Sequence, residues 1–266
     1  MLNLLNRKDI ERMKKVIIIF GLLLGLVVSP VFAEATTAVS KSAADEAYTK
    51  GNYRKAIELY EALLQQGESA EIYYNLGNSY YKNDQMARAV LNYERALLLN
   101  PGDGDIRFNL EMARSKTVDK VTPMSEVFLV TWTRAVKNWM SADGWAHCGI
   151  LCFLLFLCSV ALYLFGRKVV LKKIGFALAA VMLVLTLVAN LFANSQKQTL
   201  ETREYAIVMS PSVTAKSTPD EGGTDLFVLH EGHKVSIKDA TMKSWVEIKL
   251  EDGNVGWIPV SAIERI

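Results

Sequence analysis

The chain has 266 residues, 51% of them apolar, with 30 basic and 28 acidic side chains and a net charge of +2. That balance excludes a general attraction to nucleic acid, and a mean hydropathy of +0.16 beside so many charges excludes an ordinary soluble protein. The apolar residues must be gathered into blocks, and three of them, 16–33, 144–166 and 174–196, contain no Asp, Glu, Lys or Arg.

The first block reads as a secretory signal peptide over residues 1–33. Lys14 and Lys15 form its basic start, Val16 to Val28 its apolar run, and Ser29-Pro30-Val31-Phe32-Ala33 its small-residue end, so cleavage is expected after Ala33. Met13, just before the two lysines, is a more usual start for such a peptide than Met1. No cysteine follows the apolar run, which argues against a lipid anchor.

Residues 34–120 carry an internal repeat. Aligning the stretch from Gly51 with the stretch from Asp84 pairs Ala56 with Ala89 and Tyr60 with Tyr93 at one constant offset, the mark of a helical solenoid. Tyr73, Leu76-Gly77, Tyr80, Ala89, Tyr93, Ala96 and Pro101 fall where the tetratricopeptide pattern has its signature residues. Gly77 and Ala89 let two helices approach, Tyr80 and Tyr93 fill the space around them, and Pro101 ends the second helix. The first copy is degenerate, with Ala43-Ala44 in place of Leu-Gly, and a capping helix begins near Gly104. Two repeats and a cap resemble other tetratricopeptide proteins, which implies a face that holds a partner peptide. By position it offers Lys41, Asp45, Tyr48, Tyr74, Asn78, Tyr81, Lys82 and Phe108, with Asn78 suited to a peptide backbone and Lys82 to an anionic group. Exposed tyrosines favour recognition, since rigid aromatics dominate binding hot spots.

Residues 121–144 are expected to form an amphipathic helix in the headgroup region, because Phe128, Leu129, Trp132, Val136 and Trp139 recur at near-helical spacing opposite Arg134, Lys137 and Asn138. Two transmembrane helices follow, at 145–165 and 174–193. The loop 166–173 between them carries Arg167, Lys168, Lys172 and Lys173 without an acid, which places it in the cytoplasm by the positive-inside rule. The flanking domains then face outward together, in agreement with the signal peptide. Cys148, Cys152 and Cys158 all lie in the second apolar block and read as small apolar residues.

A linker over 194–204 leads to short alternating runs over 205–266: 205–208, 225–229, 234–237, 244–250 and 255–259. Period-two alternation bounded by Gly, Pro, Asn and Asp predicts strands, and five of them suit a small closed barrel. The stretches His230-Glu231-Gly232-His233-Lys234-Val235, Trp245-Val246-Glu247-Ile248 and Asp252-Gly253-Asn254-Val255-Gly256-Trp257-Ile258 resemble a bacterial SH3-like domain. The resemblance implies a ligand face that would include Tyr205, Ser210, Trp245 and Trp257.

Reaction chemistry finds no foothold. His230 and His233 are accompanied by no further ligand for zinc, Ser79-Tyr80-Tyr81-Lys82 lacks the partner motifs of a penicillin-binding enzyme, and Asp103-Gly104-Asp105 departs from a calcium loop at Phe108 and Arg114. No catalytic residue, cofactor or metal is expected. The fold class is thus a multi-domain membrane protein: an all-α tetratricopeptide solenoid, two transmembrane helices and a small all-β SH3-like barrel.

Signal peptide, tyrosine-rich repeat, tryptophan-bearing helix, paired spans and the Val255-Gly256-Trp257-Ile258 strand together resemble the BatE-like proteins of the Bacteroides aerotolerance group. The resemblance implies membrane-protein partners of a Bat-type complex and a place in stress functions. The expected role is a non-enzymatic scaffold of the bacterial inner membrane, with both soluble domains periplasmic and an extracytoplasmic peptide held by the repeats. The alternative is an envelope anchor whose SH3-like domain grips peptidoglycan.

Overall fold

A computed structural model describes residues 40–120 and 127–266. The expected signal peptide and the start of the expected interfacial segment, 121–126, lie outside the described residues.

Five helices come first: α1 (Lys41–Thr49), α2 (Tyr53–Leu64), α3 (Ala70–Lys82), α4 (Met86–Leu99) and α5 (Gly104–Ser115). Side-chain caps begin two of them, with Asn52 accepting from the Lys55 N–H and Asp103 from those of Asp105 and Ile106. Small residues set the packing between them. A Cβ added to Gly77 would stand 2.7 Å from two carbons of the Tyr93 ring, so α3 and α4 close onto each other only because that position is glycine. Ala44, Ala56 and Ala89 are fully buried around Tyr60, Tyr80 and Tyr93. Each tyrosine hydroxyl is anchored: Tyr60 donates to Asp45 (2.6 Å), Tyr80 to Glu61 and Tyr93 to Asn78 (2.7 Å). Burial and the Glu61 bond push the Tyr80 hydroxyl up to about 12. The turns repeat as well, since Gly51 and Asp84, paired by the alignment, have φ of 77° and 60°.

Helix α6 (Phe128–Lys137) is followed by α7 (Ala142–Phe165) and α8 (Val169–Thr202). The last two are long and apolar enough to cross a membrane. They pair antiparallel, with Gly149 against Ala189 and Asn190 and Gly175 against Ser159 and Tyr163. Only 11% and 17% of their most apolar windows are buried, so these are not core helices of a soluble domain.

Three boundaries differ from the sequence reading. Helix α6 ends at Lys137, short of the expected 144, and only Gly166 to Lys168 separate α7 from α8, because Lys172 and Lys173 already belong to α8. The expected linker 194–204 is helix up to Thr202. No glycine or proline interrupts Ser195 to Thr202, Lys197 pairs with Glu201 one turn on (3.7 Å), and the helix stops at Arg203, whose φ is 42°.

Seven strands follow: β1 (Tyr205–Val208), β2 (Ser212–Lys216), β3 (Asp225–His230), β4 (Lys234–Asp239), β5 (Trp245–Lys249), β6 (Val255–Pro259) and β7 (Ile263–Arg265). They form one antiparallel sheet in the order β3-β2-β6-β5-β4-β1-β7. The five-stranded closed barrel is therefore corrected to a seven-stranded open sheet whose end strands, β3 and β7, do not pair with each other. Its core is Ala206, Val208, Ala215, Leu229, Val235, Val246, Ile248 and Ile258. The β7 edge is shielded by the repeats instead of by closure: Arg95 of α4 donates to the Arg265 carbonyl of β7 (2.6 Å) and pairs with Glu264 (2.9 Å).

Candidate functional site

The residues expected to receive a partner lie on α1, α3 and α5, and the structure sorts them into two groups. The first group braces neighbouring helices. Lys41 bridges Asp45 (3.1 Å) and Glu71 (2.7 Å), and those two bonds raise its ammonium above the ordinary value. Asp45 also receives the Tyr60 hydroxyl. Asn78 accepts from Tyr93 and from Asn109 (3.0 Å) through one oxygen, and Asn109 reaches Tyr74 as well (2.8 Å). The Asn78 oxygen is therefore committed inside the solenoid and is not offered to a peptide backbone.

The second group lies at the surface, with Tyr48 and Tyr81 half-buried against the repeat core. Tyr48 meets Tyr53 edge-on with ring centres 5.5 Å apart, and Tyr81 carries the Lys116 ammonium 4.2 Å above its ring. Lys82 is exposed, and Phe108 shows 65% of its surface beside Met112 at 36%. Lys116 and Asn109 are the residues sequence reasoning missed. Their helix was read as a cap that offers Phe108, and only its packing against α3 brings them to this face.

On the sheet, register places Trp245, Glu247 and Trp257 on one side, with Lys216 opposite Trp257. Tyr205 falls on the same side, in the row of Ser236 and Lys249, with the Lys234 ammonium 4.7 Å from its ring. Ser210 lies outside the strands, in the turn after β1. The β1 end of this face is already occupied. Ile207 of β1 and the terminal Ile266 are buried in the core of the helical repeats, so repeats and sheet form one docked body where two separate modules were expected.

Charge closes that seam. Glu94 of α4, 4% exposed, binds Arg114 of α5 and Lys234 of β4 (2.7 Å). Arg203 at the end of α8 pairs with Glu68 and draws its carboxyl below the ordinary range. Asp119 receives the His230 N–H (2.8 Å) and the His230 ring Nδ1 (2.8 Å), with the His233 ring 3.3 Å away. Gly232 between the two histidines has φ of 85°, and a Cβ there would stand 2.6 Å from Thr117. Among the described residues no group of three or more His, Cys, Asp or Glu is placed to hold a metal ion.

Burial holds the His233 imidazole below its ordinary value, with Arg114 pulling the same way and Asp119, Glu251 and Asp252 pulling against it. The unfolded chain therefore takes up this proton first, near about pH 6.5, and the seam is stable at neutral pH and weakens as the pH falls. Acidification from about pH 7.5 to about pH 5 is expected to lower the melting temperature of the full-length protein in detergent. His233→Gln is expected to flatten that slope, and an unchanged slope in the variant would remove His233 as its source.

Architecture and site define a helical-repeat protein with an open side-chain face, attached to two long apolar helices and an antiparallel sheet. Residues 70–103, which comprise α3, α4 and the turn to Asp103, match the tetratricopeptide repeat family. That repeat is a protein-interaction unit and implies protein partners. None of the curated proteins compared with the chain matches it.

Proposed function

We propose that the protein is a non-enzymatic, membrane-anchored adaptor that holds a partner segment on the open face of its repeats. The observation that carries this reading is the asymmetry of the solenoid. One side is taken by the sheet through Glu94, Arg95 and Ile207, while on α1, α3 and α5 Lys82 and Phe108 stay exposed and Tyr48 and Tyr81 half-buried. Aromatic rings beside Lys82 and Lys116 suit an extended segment with apolar and acidic side chains.

The paired helices α7 and α8 support a bilayer hairpin, which returns the chain to the side it left. Direct bonds from Arg203 to Glu68 and from Arg95 to Glu264 agree with repeats and sheet on one side. The basic residues Arg167, Lys168, Lys172 and Lys173 sit at the opposite end, which favours that end as cytoplasmic and the docked body as periplasmic. The likeness to BatE-like proteins agrees with this and suggests other membrane proteins of a Bat-type complex as partners, in the bacterial inner membrane.

The test is brief in-cell crosslinking followed by purification in mild detergent, with Lys82→Ala/Phe108→Ala beside the native protein. Both side chains are exposed, so folding is unaffected, and loss of one aromatic anchor is expected to weaken partner retention by about tenfold or more. The same partners retained by both proteins would overturn the assignment of this face.

A further inference from the structure

We propose that one stripe of α8 pairs with the same stripe of a second copy of the chain inside the membrane, through the amides of Asn190 and Asn194. This rests on the reading that α7 and α8 cross a bilayer.

Helix α8 carries two different seams. Gly175, Ala179 and Ala189 are buried, with Gly175 against Ser159 and Tyr163 of α7 and Ala189 against Gly149. About 100° further around the helix, a second line runs through Phe176, Ala180, Leu183, Leu187, Asn190 and Asn194, and all of these are exposed. Their spacing alternates between four residues and three. That is the seam along which two helices wind around each other with a left-handed twist.

Depth makes the first asparagine costly to leave bare. Lys197 is the first charged side chain after the apolar run, and Asn190 lies two turns before it, about 10 Å deeper along the axis. Its Nδ2 donates to the Thr186 carbonyl one turn back (2.8 Å), which uses one of the four hydrogen bonds an amide can make. On the α7 side it meets Gly149, which brings no polar side chain. Lipid tails offer nothing for the remaining bonds.

Symmetry names the occupant. Copies inserted in one bilayer share one topology, so their α8 helices run parallel. In a parallel pair of this spacing each seam residue meets its own counterpart at the same depth. An amide carries donors and an acceptor together, so Asn190 completes Asn190 of the other copy, and Asn194 does the same one turn nearer the surface. Such bonds between helices hold membrane proteins together, and an asparagine within an apolar seam also fixes its register. Leu183 and Leu187 pack below the amides, where Ala180 lets the backbones come close.

The test is disulfide formation in full-length protein carrying Cys148→Ala/Cys152→Ala/Cys158→Ala, purified and diluted into phosphatidylcholine liposomes and oxidised with copper phenanthroline. Leu187→Cys on the seam is expected to give a covalent dimer, while Leu185→Cys on the opposite side of α8 is not. Asn190→Leu/Asn194→Leu added to Leu187→Cys should weaken pairing by about tenfold, read from the lipid dilution that halves the dimer, and Asn190→Gln should retain it. These side chains are exposed, so the fold of one copy does not depend on them. Equal dimer from both cysteine positions means random collision and overturns the seam, and unchanged dimer in the leucine variant overturns the role of the amides. A Leu187→Cys protein that links only to other proteins in cell membranes, and stays single in liposomes, overturns the second copy. Each of these results leaves the bilayer reading intact, whereas release of the protein from membranes by alkaline carbonate overturns both.

Discussion

Glu94→Ala is expected to lower the unfolding free energy of the docked body by about 3 kcal/mol, the lower end of the range for breaking a buried ion pair. The carboxylate is 4% exposed and joins three elements: α4, which carries it, α5 through Arg114, and β4 through Lys234. Its removal leaves two cations facing each other across the seam. Those side chains are 38% and 24% exposed, so each recovers some hydration, which keeps the loss from growing larger. Lys234→Ala added to Glu94→Ala should restore part of the stability, because it removes one of the stranded charges. Thermal unfolding of the full-length protein in detergent checks both, and a Glu94→Ala protein within about 0.5 kcal/mol of the native one would show that the seam does not hold the two parts together.

Truncation of Tyr93 to alanine is expected to cost about 4 kcal/mol, as for other buried aromatic side chains. The ring is 1% exposed, lies against Gly77, and tilts toward Tyr74 with centres 6.0 Å apart. Tyr93→Phe removes only the hydroxyl, and Asn78 keeps its bond from Asn109, so that variant should cost about 1 kcal/mol. Gly77→Ala forces a methyl into the same ring and should cost about 2 kcal/mol. In the double variant Tyr93→Ala/Gly77→Ala the ring is gone and the methyl has room, so the two losses should fall short of adding. Denaturant unfolding of the four proteins decides this, and strict additivity would mean that Gly77 and Tyr93 do not share one space.

The repeats were legible because their determinants are local and periodic. Gly77 and Ala89 were read as letting two helices approach with Tyr80 and Tyr93 filling the space around them, and the alignment of Gly51 with Asp84 recurs as two turns of positive φ. The long helices were legible from their charge-free runs. The end of α8 was not, since polarity returns after Gln196 while helix formation continues through Lys197 and Glu201. Alternation located five strands, but Ser212–Lys216 carries three polar residues in five, Ile263–Arg265 is only three residues long, and no strand announces which edge it will share. The seam left no mark at all. Glu94, Arg95 and Asp119 resemble solvated helix and loop residues, and their partners lie more than a hundred positions away. The candidate residues fall on α1, α3 and α5, yet the pattern could not distinguish Asn78, spent internally, from Phe108, left bare.

Helix α8 runs 34 residues into the strand that begins at Tyr205, with only Arg203 and Glu204 between. A chain joined this way has a rotational phase. One residue inserted between Lys197 and Thr202 would turn everything beyond it by about 100° and swing Arg203 off Glu68, where a slack tether would absorb the change unnoticed. On the proposed reading that the paired helices cross a bilayer, the surface face of the repeats then points along one azimuth around the membrane normal. A neighbour in the same membrane meets it from one compass direction only, so lateral arrangement, as much as affinity, would decide what it binds.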